Sequence, residues 1–193
     1  MMTTVSATPD WTSAREAFNG GELLAYPTEA VFGLGCDPTN EQAVQRLLDL
    51  KQRPVQKGLI LLAADYSQLL PFVDDKAIGQ DKRFSVFSHW PGPVTLLLPA
   101  RADCPQWLRG EHMTIATRVT AFEPARQLCK ALGSAIVSTS ANLSQQPALT
   151  SAAEVEQSFG DRLGWIYQHP VGGAQTPSKI INPLTGEVVR NGL

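Results

Sequence analysis

The segment Lys51-Gln52-Arg53-Pro54, with Lys57 close behind, places three positive charges within seven residues of a slightly acidic chain. Phosphate is the natural partner of such a group. An Arg fork holds two oxygens at once, Lys adds a mobile point charge, and Pro54 fixes the backbone beside Arg53. A single pair at about 4 Å is worth roughly 4 kcal/mol gross at an effective dielectric of about 20, so two or three cations can hold a triphosphate, though desolvation and salt take back much of the gain. The plainer alternative is a solvated patch, or a helix C-terminus that favours cations.

A second group is uncharged. Ile136 and Val137 lead into Ser138-Thr139-Ser140-Ala141-Asn142, three hydroxyls and one carboxamide at the mouth of an apolar strand. Such groups can bond a polar substrate without adding charge. They also favour the sharp exit of an ordinary turn or helix cap, so the residues alone leave both readings open. A third segment, Tyr26 to Gly35, ends in two glycines and invites a dinucleotide-binding reading. That reading fails, because the third glycine of G-x-G-x-x-G would fall at Pro38 and no G-x-x-x-x-G-K loop occurs. Gly33 and Gly35 are read instead as allowing tight backbone approach, with the Thr28 hydroxyl at the strand's mouth. Glu29 is the main acid or base candidate nearby, and no Ser, His and Asp spacing suggests a covalent triad, so no catalytic residue is assigned. Hydroxyls, an amide and cations suit reactions driven by positioning and charge stabilisation, such as phosphoryl or nucleotidyl transfer, with the metal arriving on the nucleotide.

These groups need elements to hold them. A first helix is expected around Thr12 to Asn19, then a short strand from Glu22 to Tyr26 stopped by Pro27, then a glycine-bearing loop. Thr39 and Gln42 form a capping-box signature for a helix through about Leu50, with Val44, Leu47 and Leu48 inward, which delivers Lys51 and Arg53 at its end. Gly58 to Ala63 and Val94 to Pro99 are continuous apolar runs, expected to be central strands covered on both faces. Met113 to Val119 alternates in character, Pro124 and Gly133 bracket a helix, and Ser134 to Ser138 is the strand that opens into the hydroxyl cluster. Ser151 and Glu154 cap a helix ending at Gly160, Gly164 to Tyr167 is a short strand, and Ile180-Ile181 faces Val188-Val189 in a final hairpin. Alternating helices and strands without repeats or linkers read as α/β, with mixed α+β character, in one domain over 1–193.

Composition narrows the function. With a net charge of −2 and 43% hydrophobic residues, the overall field does not favour nucleic acid, so any polyanion site must be a local concentration of cations. Three scattered cysteines, Cys36, Cys104 and Cys129, argue against a disulfide framework or a zinc site and for a reducing, cytoplasmic setting. His89, His112 and His169 show no metal-ligand spacing, and no protein-held metal is expected. The N-terminal MMTTVSATPDW lacks a leader pattern, and no run approaches the roughly 18 apolar residues of a membrane span.

Five segments in order, 26–35, 51–60, Trp90-Pro91-Gly92-Pro93-Val94-Thr95, Ala116-Thr117-Arg118-Val119 and 138–144, resemble the YrdC/TsaC family. Pro177-Ser178-Lys179-Ile180 and Val189-Arg190 extend the resemblance over nearly the whole chain. It implies a twisted mixed sheet flanked by helices, with a concave basic face. It implies threonylcarbamoyl-AMP synthase activity, in which L-threonine, bicarbonate or CO2, and ATP give threonylcarbamoyl-adenylate and pyrophosphate for tRNA modification. Mg2+ would arrive with ATP, and a link to the proteins that transfer the threonylcarbamoyl group to tRNA would follow. By position, Thr28, Arg118, Ser138 and Ser178 resemble the family's threonine-binding groups. Lys51, Arg53, Ser140, Asn142 and Arg190 resemble its ATP-binding set, with Thr114 a further member expected to act through backbone contact. Longer relatives carry an additional C-terminal domain, and the expectation is a short form that lacks it. The resemblance also implies a rival function, double-stranded RNA binding in ribosome maturation, which the sequence supports less because aromatics do not interleave with Arg and Lys. A sugar-phosphate enzyme would need carboxylates for metal-assisted enolisation that these motifs do not show.

Overall fold

A computed structural model describes residues 8–190; the residues before and after, including most of the segment read for a leader, lie outside it. The chain begins with helix α1 (Trp11–Asn19), strands β1 (Leu24–Pro27) and β2 (Phe32–Gly35), helix α2 (Glu41–Lys51) and strand β3 (Ile60–Ala63). Helix α3 (Gln80–Phe87), strand β4 (Val94–Pro99), the single turn α4 (Gln106–Arg109), strand β5 (Thr114–Val119) and helix α5 (Glu123–Leu132) follow. Strand β6 (Ile136–Ser140), helix α6 (Ala152–Phe159) and strands β7 (Trp165–Ile166), β8 (Lys179–Ile181) and β9 (Val188–Arg190) complete it.

The strands form one mixed sheet in the order β7-β1-β2-β6-β3-β5-β4-β8-β9. Strand β6 is the seam. It runs antiparallel to β2 through Gly33↔Ser140 and to β3 through Ile60↔Ser138, while β3 lies parallel to β5 through Leu62↔Arg118. Because side chains alternate faces along a strand, this register decides what each face carries. Leu61, Ile115, Val119, Val137, Leu96 and Leu98 point into the larger hydrophobic cluster, which α2 and α6 help to cover through Val44, Leu47, Val155 and Phe159. On the other face, Leu24, Tyr26, Leu62 and Ile136 meet Ala14, Phe18, Leu128 and Cys129 of α1 and α5. Each such buried side chain contributes about 1.5–3 kcal/mol, and these helices roof only one end of that face. The remainder, carrying Ile60, Ala116, Arg118, Ser138 and Ser140, lines an open cleft.

Three local expectations are revised. Gly33 and Gly35 lie in strand β2 rather than a loop. A Cβ on Gly35 would sit 1.9 Å from the Val137 carbonyl oxygen, and one on Gly33 would sit 3.0 Å from the Tyr26 ring, so glycine is what lets Tyr26 reach across and donate to the Val137 carbonyl at 3.0 Å. The cap of α2 is Asn40, accepting from the Ala43 amide, while the Thr39 hydroxyl bonds Asp37. Strand β6 continues through Ser140, so its hydroxyls stand on the sheet rather than in a turn beyond it. The Ser151 cap of α6 and the αL Gly133 that ends α5 are as expected. The runs over β3 and β4 are central, but only partly covered on their second face: Leu62 packs beneath the helices there, whereas Ile60, Thr95 and Leu97 line the cleft.

Candidate functional site

The cleft has a volume of about 1290 Å³ and gathers residues from distant parts of the chain: the turn after β1, the segment after α2, strands β5 and β6, and the β8–β9 hairpin. Six cations, Arg53, Lys57, Arg109, Arg118, Lys179 and Arg190, line it against two carboxylates, Glu29 and Glu187. In a chain of net charge −2 that is a marked local excess, suited to an anionic ligand. Thr28, Thr114, Ser138, Ser140 and Ser178 add hydroxyls to the same wall. Eight of the ten residues singled out by sequence therefore meet at one cavity.

Lys51 and Asn142 stand behind that wall. Lys51, at the last turn of α2, is 9% exposed. Its Nζ donates to the Ser140 carbonyl at 2.7 Å, the Asn142 carbonyl at 2.7 Å and Asn142 Oδ1 at 2.6 Å, which accounts for all three of its protons. Ser140 Oγ donates to the same Asn142 Oδ1 at 2.7 Å, and Asn142 Nδ2 donates to the Gln146 carbonyl at 2.8 Å. Burial, helped by the neighbouring Arg53 charge, pulls the Lys51 amine down to about 8. Lys51 thus ties the exit of β6 to the end of α2. Arg53 is placed by the left-handed Gln52 that ends this helix and donates Nε and Nη2 to the Gly58 carbonyl at 3.2 and 2.9 Å. Its Nη1 is left for the cleft, and loss of water lowers its pKa from the ordinary guanidinium value.

Across the cleft, Arg118 rises from β5 and is 7% exposed. Its Nη1 donates to Glu29 Oε2 in a close ion pair, and Thr120 Oγ1 donates to Glu29 Oε1 at 3.1 Å. Arg190 donates Nε and Nη2 to the Ser178 carbonyl at 3.0 and 2.8 Å, with Nη2 also 3.1 Å from Ser178 Oγ. The Ser178 hydroxyl lies 3.1 Å from that of the fully buried Thr95. Arg190 sits on an exposed edge strand, yet partial loss of water and, second, the Arg118 charge lower its pKa. The two guanidiniums therefore act on one region. The Thr28 hydroxyl donates to the Val31 carbonyl at 2.7 Å, closing the turn that carries Glu29. Residues 168–178 pass over this turn, with Gly172 N bonded to the Thr28 carbonyl and Ala174 N to that of Glu29 at 3.0 and 2.8 Å.

Sequence reading passed over Thr95, Thr120, Arg109 and Lys179, and it gave Glu29 no partner. Thr95 ends the Trp-Pro-Gly-Pro-Val-Thr segment, where a polar residue inside an apolar run was a usable signal. The Glu29–Arg118 pair spans 89 positions, and no local pattern announces it. Among the described residues no group of three His, Cys, Asp or Glu could hold a metal ion, Cys36, Cys104 and Cys129 are buried free thiols, and no helix is long and apolar enough to cross a membrane. A cradle lined by cations and hydroxyl groups can bind, align and neutralise an anion; among the described residues it offers no covalent nucleophile beside a base.

Known proteins share this architecture. The Sua5/YciO/YrdC family model, described as telomere recombination, matches residues 16–192. The chain is 63% identical over 181 residues to the threonylcarbamoyl-AMP synthase of Idiomarina loihiensis, covering 94% of this chain and 97% of the relative. It is 49% identical over 180 residues to the protein of that name from Escherichia coli, covering 93% and 94%. Among solved structures, P. abyssi Sua5 complexed with L-threonine superposes with a TM-score of 0.81 at 31% identity, over 92% of this chain and 52% of that one. E. coli YciO does so with a TM-score of 0.78 at 26% identity, over 96% and 92%. The agreement in sequence and the agreement in fold both run along nearly the whole chain, and on both grounds this chain belongs to the Sua5/YciO/YrdC family.

Proposed function

We propose that the chain is a threonylcarbamoyl-AMP synthase, a nucleotidyltransferase that joins L-threonine, bicarbonate or CO2, and ATP into threonylcarbamoyl-adenylate and pyrophosphate for tRNA modification. The observation that carries the reading is the convergence of Arg53, Arg118, Ser138, Ser140, Ser178 and Arg190 on one cleft in a chain 63% identical to a protein of that name.

The chemistry follows from the residues. Threonine nitrogen, as the free amine, bonds the carbon of CO2 with release of a proton, or that of bicarbonate with release of water, to give a carbamate, and a carbamate oxygen attacks the α-phosphorus of ATP. The new P–O bond forms as the bond to the bridging oxygen of the β-phosphate breaks, and pyrophosphate leaves with that electron pair. ATP enters as its magnesium complex, which supplies charge neutralisation for the leaving group. The protein's part is to hold two anions in line. Thr28, Arg118, Ser138 and Ser178 take the threonine end, with Arg118 meeting the carboxylate. Arg53, Ser140, Arg190 and Thr114 take the nucleotide, while Lys51 and Asn142 fix the backbone that presents Ser140. The product then passes to the proteins that transfer it to tRNA, in the cytoplasm, with residues 1–193 working as one domain.

The test is pyrophosphate release by purified protein with ATP and Mg2+, omitting threonine and bicarbonate in turn. Release should require both, and release indifferent to threonine would overturn the assignment. Double-stranded RNA binding finds less support, because the cations it would use line the small-molecule cleft.

A further inference from the structure

Glu29 is unusual in its place. The cleft is lined by six cations and two carboxylates, and of the two carboxylates Glu29 is the one joined to Arg118. Its position is fixed from several sides. Thr120 Oγ1 accepts from the Phe122 amide at 3.0 Å, so its proton is directed to Glu29 Oε1 at 3.1 Å. The backbone is held by the Thr28 N to Val31 carbonyl bond at 3.0 Å and by Ala174 N donating to the Glu29 carbonyl at 2.8 Å. Gly172 crosses this turn so closely that a Cβ there would lie 3.0 Å from Glu29 Cα. The Glu29 side chain nevertheless remains 23% exposed and lines the cleft, whereas Arg118 is 9% exposed by side chain.

A fixed carboxylate beside a fixed guanidinium matches the two charges of an α-amino acid, which lie one carbon apart. Each oxygen of Glu29 has one bond from the protein and retains a further lone pair, and Arg118 retains N–H groups beyond the one directed at Glu29. We propose that Glu29 is a specificity-determining residue of the amino-acid site: its carboxylate accepts a hydrogen bond from the substrate's α-ammonium while Arg118 binds the substrate's carboxylate. After carboxylation of the nitrogen, the single remaining carbamate N–H has the same acceptor, so the contact orients the nucleophile as well as selecting the substrate. An α-hydroxy acid of the same shape loses the charge-assisted part of this bond and is held less tightly. The inference rests on the reading of the site as a threonine site.

The experiment compares binding of L-threonine with binding of its α-hydroxy counterpart, 2,3-dihydroxybutyrate, by titration calorimetry in the unaltered protein, Glu29→Gln, Glu29→Asp and Arg118→Ala. The unaltered protein should prefer threonine by about tenfold to a hundredfold, the scale of a charge-assisted hydrogen bond. Glu29→Gln keeps an oxygen for Arg118 and should bring the two ligands to within about threefold, with the hydroxy acid's own affinity little changed, and Glu29→Asp should restore part of the preference. A Glu29→Gln protein that keeps the full preference overturns the proposal. A uniform loss for both ligands also overturns it, because Glu29 would then act only by holding Arg118. Undiminished threonine binding by Arg118→Ala would instead remove the threonine site itself, a different failure from that of Glu29. Thermal unfolding of each variant identifies any that does not fold, and Glu29→Asp then decides the matter alone: it overturns the proposal if it loses affinity for both ligands equally.

Discussion

Lys51 and Arg118 are the two charged side chains buried among the described residues, 9% and 7% exposed, and they solve the cost of burial in opposite ways. Lys51 directs all three protons to uncharged oxygens of Ser140 and Asn142. Its charge is satisfied without being neutralised, and what it gains is the geometry of a loop. Arg118 directs one N–H at the carboxylate of Glu29, is neutralised by it, and keeps further donors toward the cleft. The first cation shapes the site and the second meets its contents. In sequence Lys51 read as a positive charge awaiting phosphate, whereas Arg118 was singled out only through the family resemblance, as a partner for a carboxylate. The difference teaches that a cation's role in a site is set by what its protons already bond.

The largest effect is expected at Lys51. Lys51→Met keeps the stem and removes the ammonium, which breaks three charge-assisted hydrogen bonds of roughly 1.5–3 kcal/mol each and leaves the Asn142 carbonyl without a donor, offset in part by the relief of burying a charge. A net loss of about 3–4 kcal/mol in urea unfolding is expected, together with disordering of Ser140 that lowers activity more than a hundredfold, on the scale of a misplaced binding group. pH sharpens the point. With the amine pulled down to about 8, the folded protein binds fewer protons than the unfolded chain between about pH 8 and the ordinary lysine value. Stability contributed at this position therefore rises with pH across that window, and the deficit of Lys51→Met should widen from pH 7 to pH 10. A constant deficit would show that the three oxygens hold the proton against burial.

Arg118→Ala should act second in size and differently in kind. It leaves Glu29 partly buried without its cation, at a cost of about 2–3 kcal/mol in unfolding free energy. Its kinetic effect should fall on threonine, raising KM for that substrate about 30- to 100-fold with a much smaller change in KM for ATP. If KM for ATP rose by as much, Arg118 would belong with Arg190 on the nucleotide, and the division between the two walls of the cleft would fail.

How far the sequence reached follows the same division between local and distant causes. The apolar runs at Ile60–Ala63 and Val94–Pro99, the Ser151 cap and the Gly133 stop were legible, because each depends on neighbours a few residues away. Gly33 and Gly35 were legible as points of tight approach, which Tyr26 and Val137 of neighbouring strands make, but not as strand residues, since glycine disfavours strands by local propensity. The hydroxyls of β6 read as a turn because Ser and Thr prefer turns locally, whereas pairing with β2 and β3 carries the strand through Ser140. The grouping of Thr28, Arg118, Ser138 and Ser178 came through resemblance and is brought together by register across the sheet. The burial of Lys51 had one local signal, its place seven residues after Val44 and four after Leu47 on the inward face of α2, but its acceptors lie 89 and 91 positions away.

Lys57 gives the smallest effect and the cleanest contrast with Lys51, six residues earlier in the same motif. It is exposed on the cleft wall and has no hydrogen-bond or ion-pair partner among the described residues. A cation in that position acts on a polyanion through water, at about 0.2–1 kcal/mol, and salt screens it over a Debye length of about 8 Å near physiological ionic strength. Lys57→Ala should leave urea unfolding unchanged, raise KM for ATP about two- to fivefold at low salt, and lose most of that effect near 0.5 M salt, where the Debye length falls to about 4 Å. Lys51→Met should show no such salt dependence, because its partners are uncharged and Lys51 itself is buried. Measuring both variants across the same salt series separates a cation that attracts a ligand from one that builds the site, and a salt-sensitive Lys51 variant would place its ammonium on the nucleotide after all.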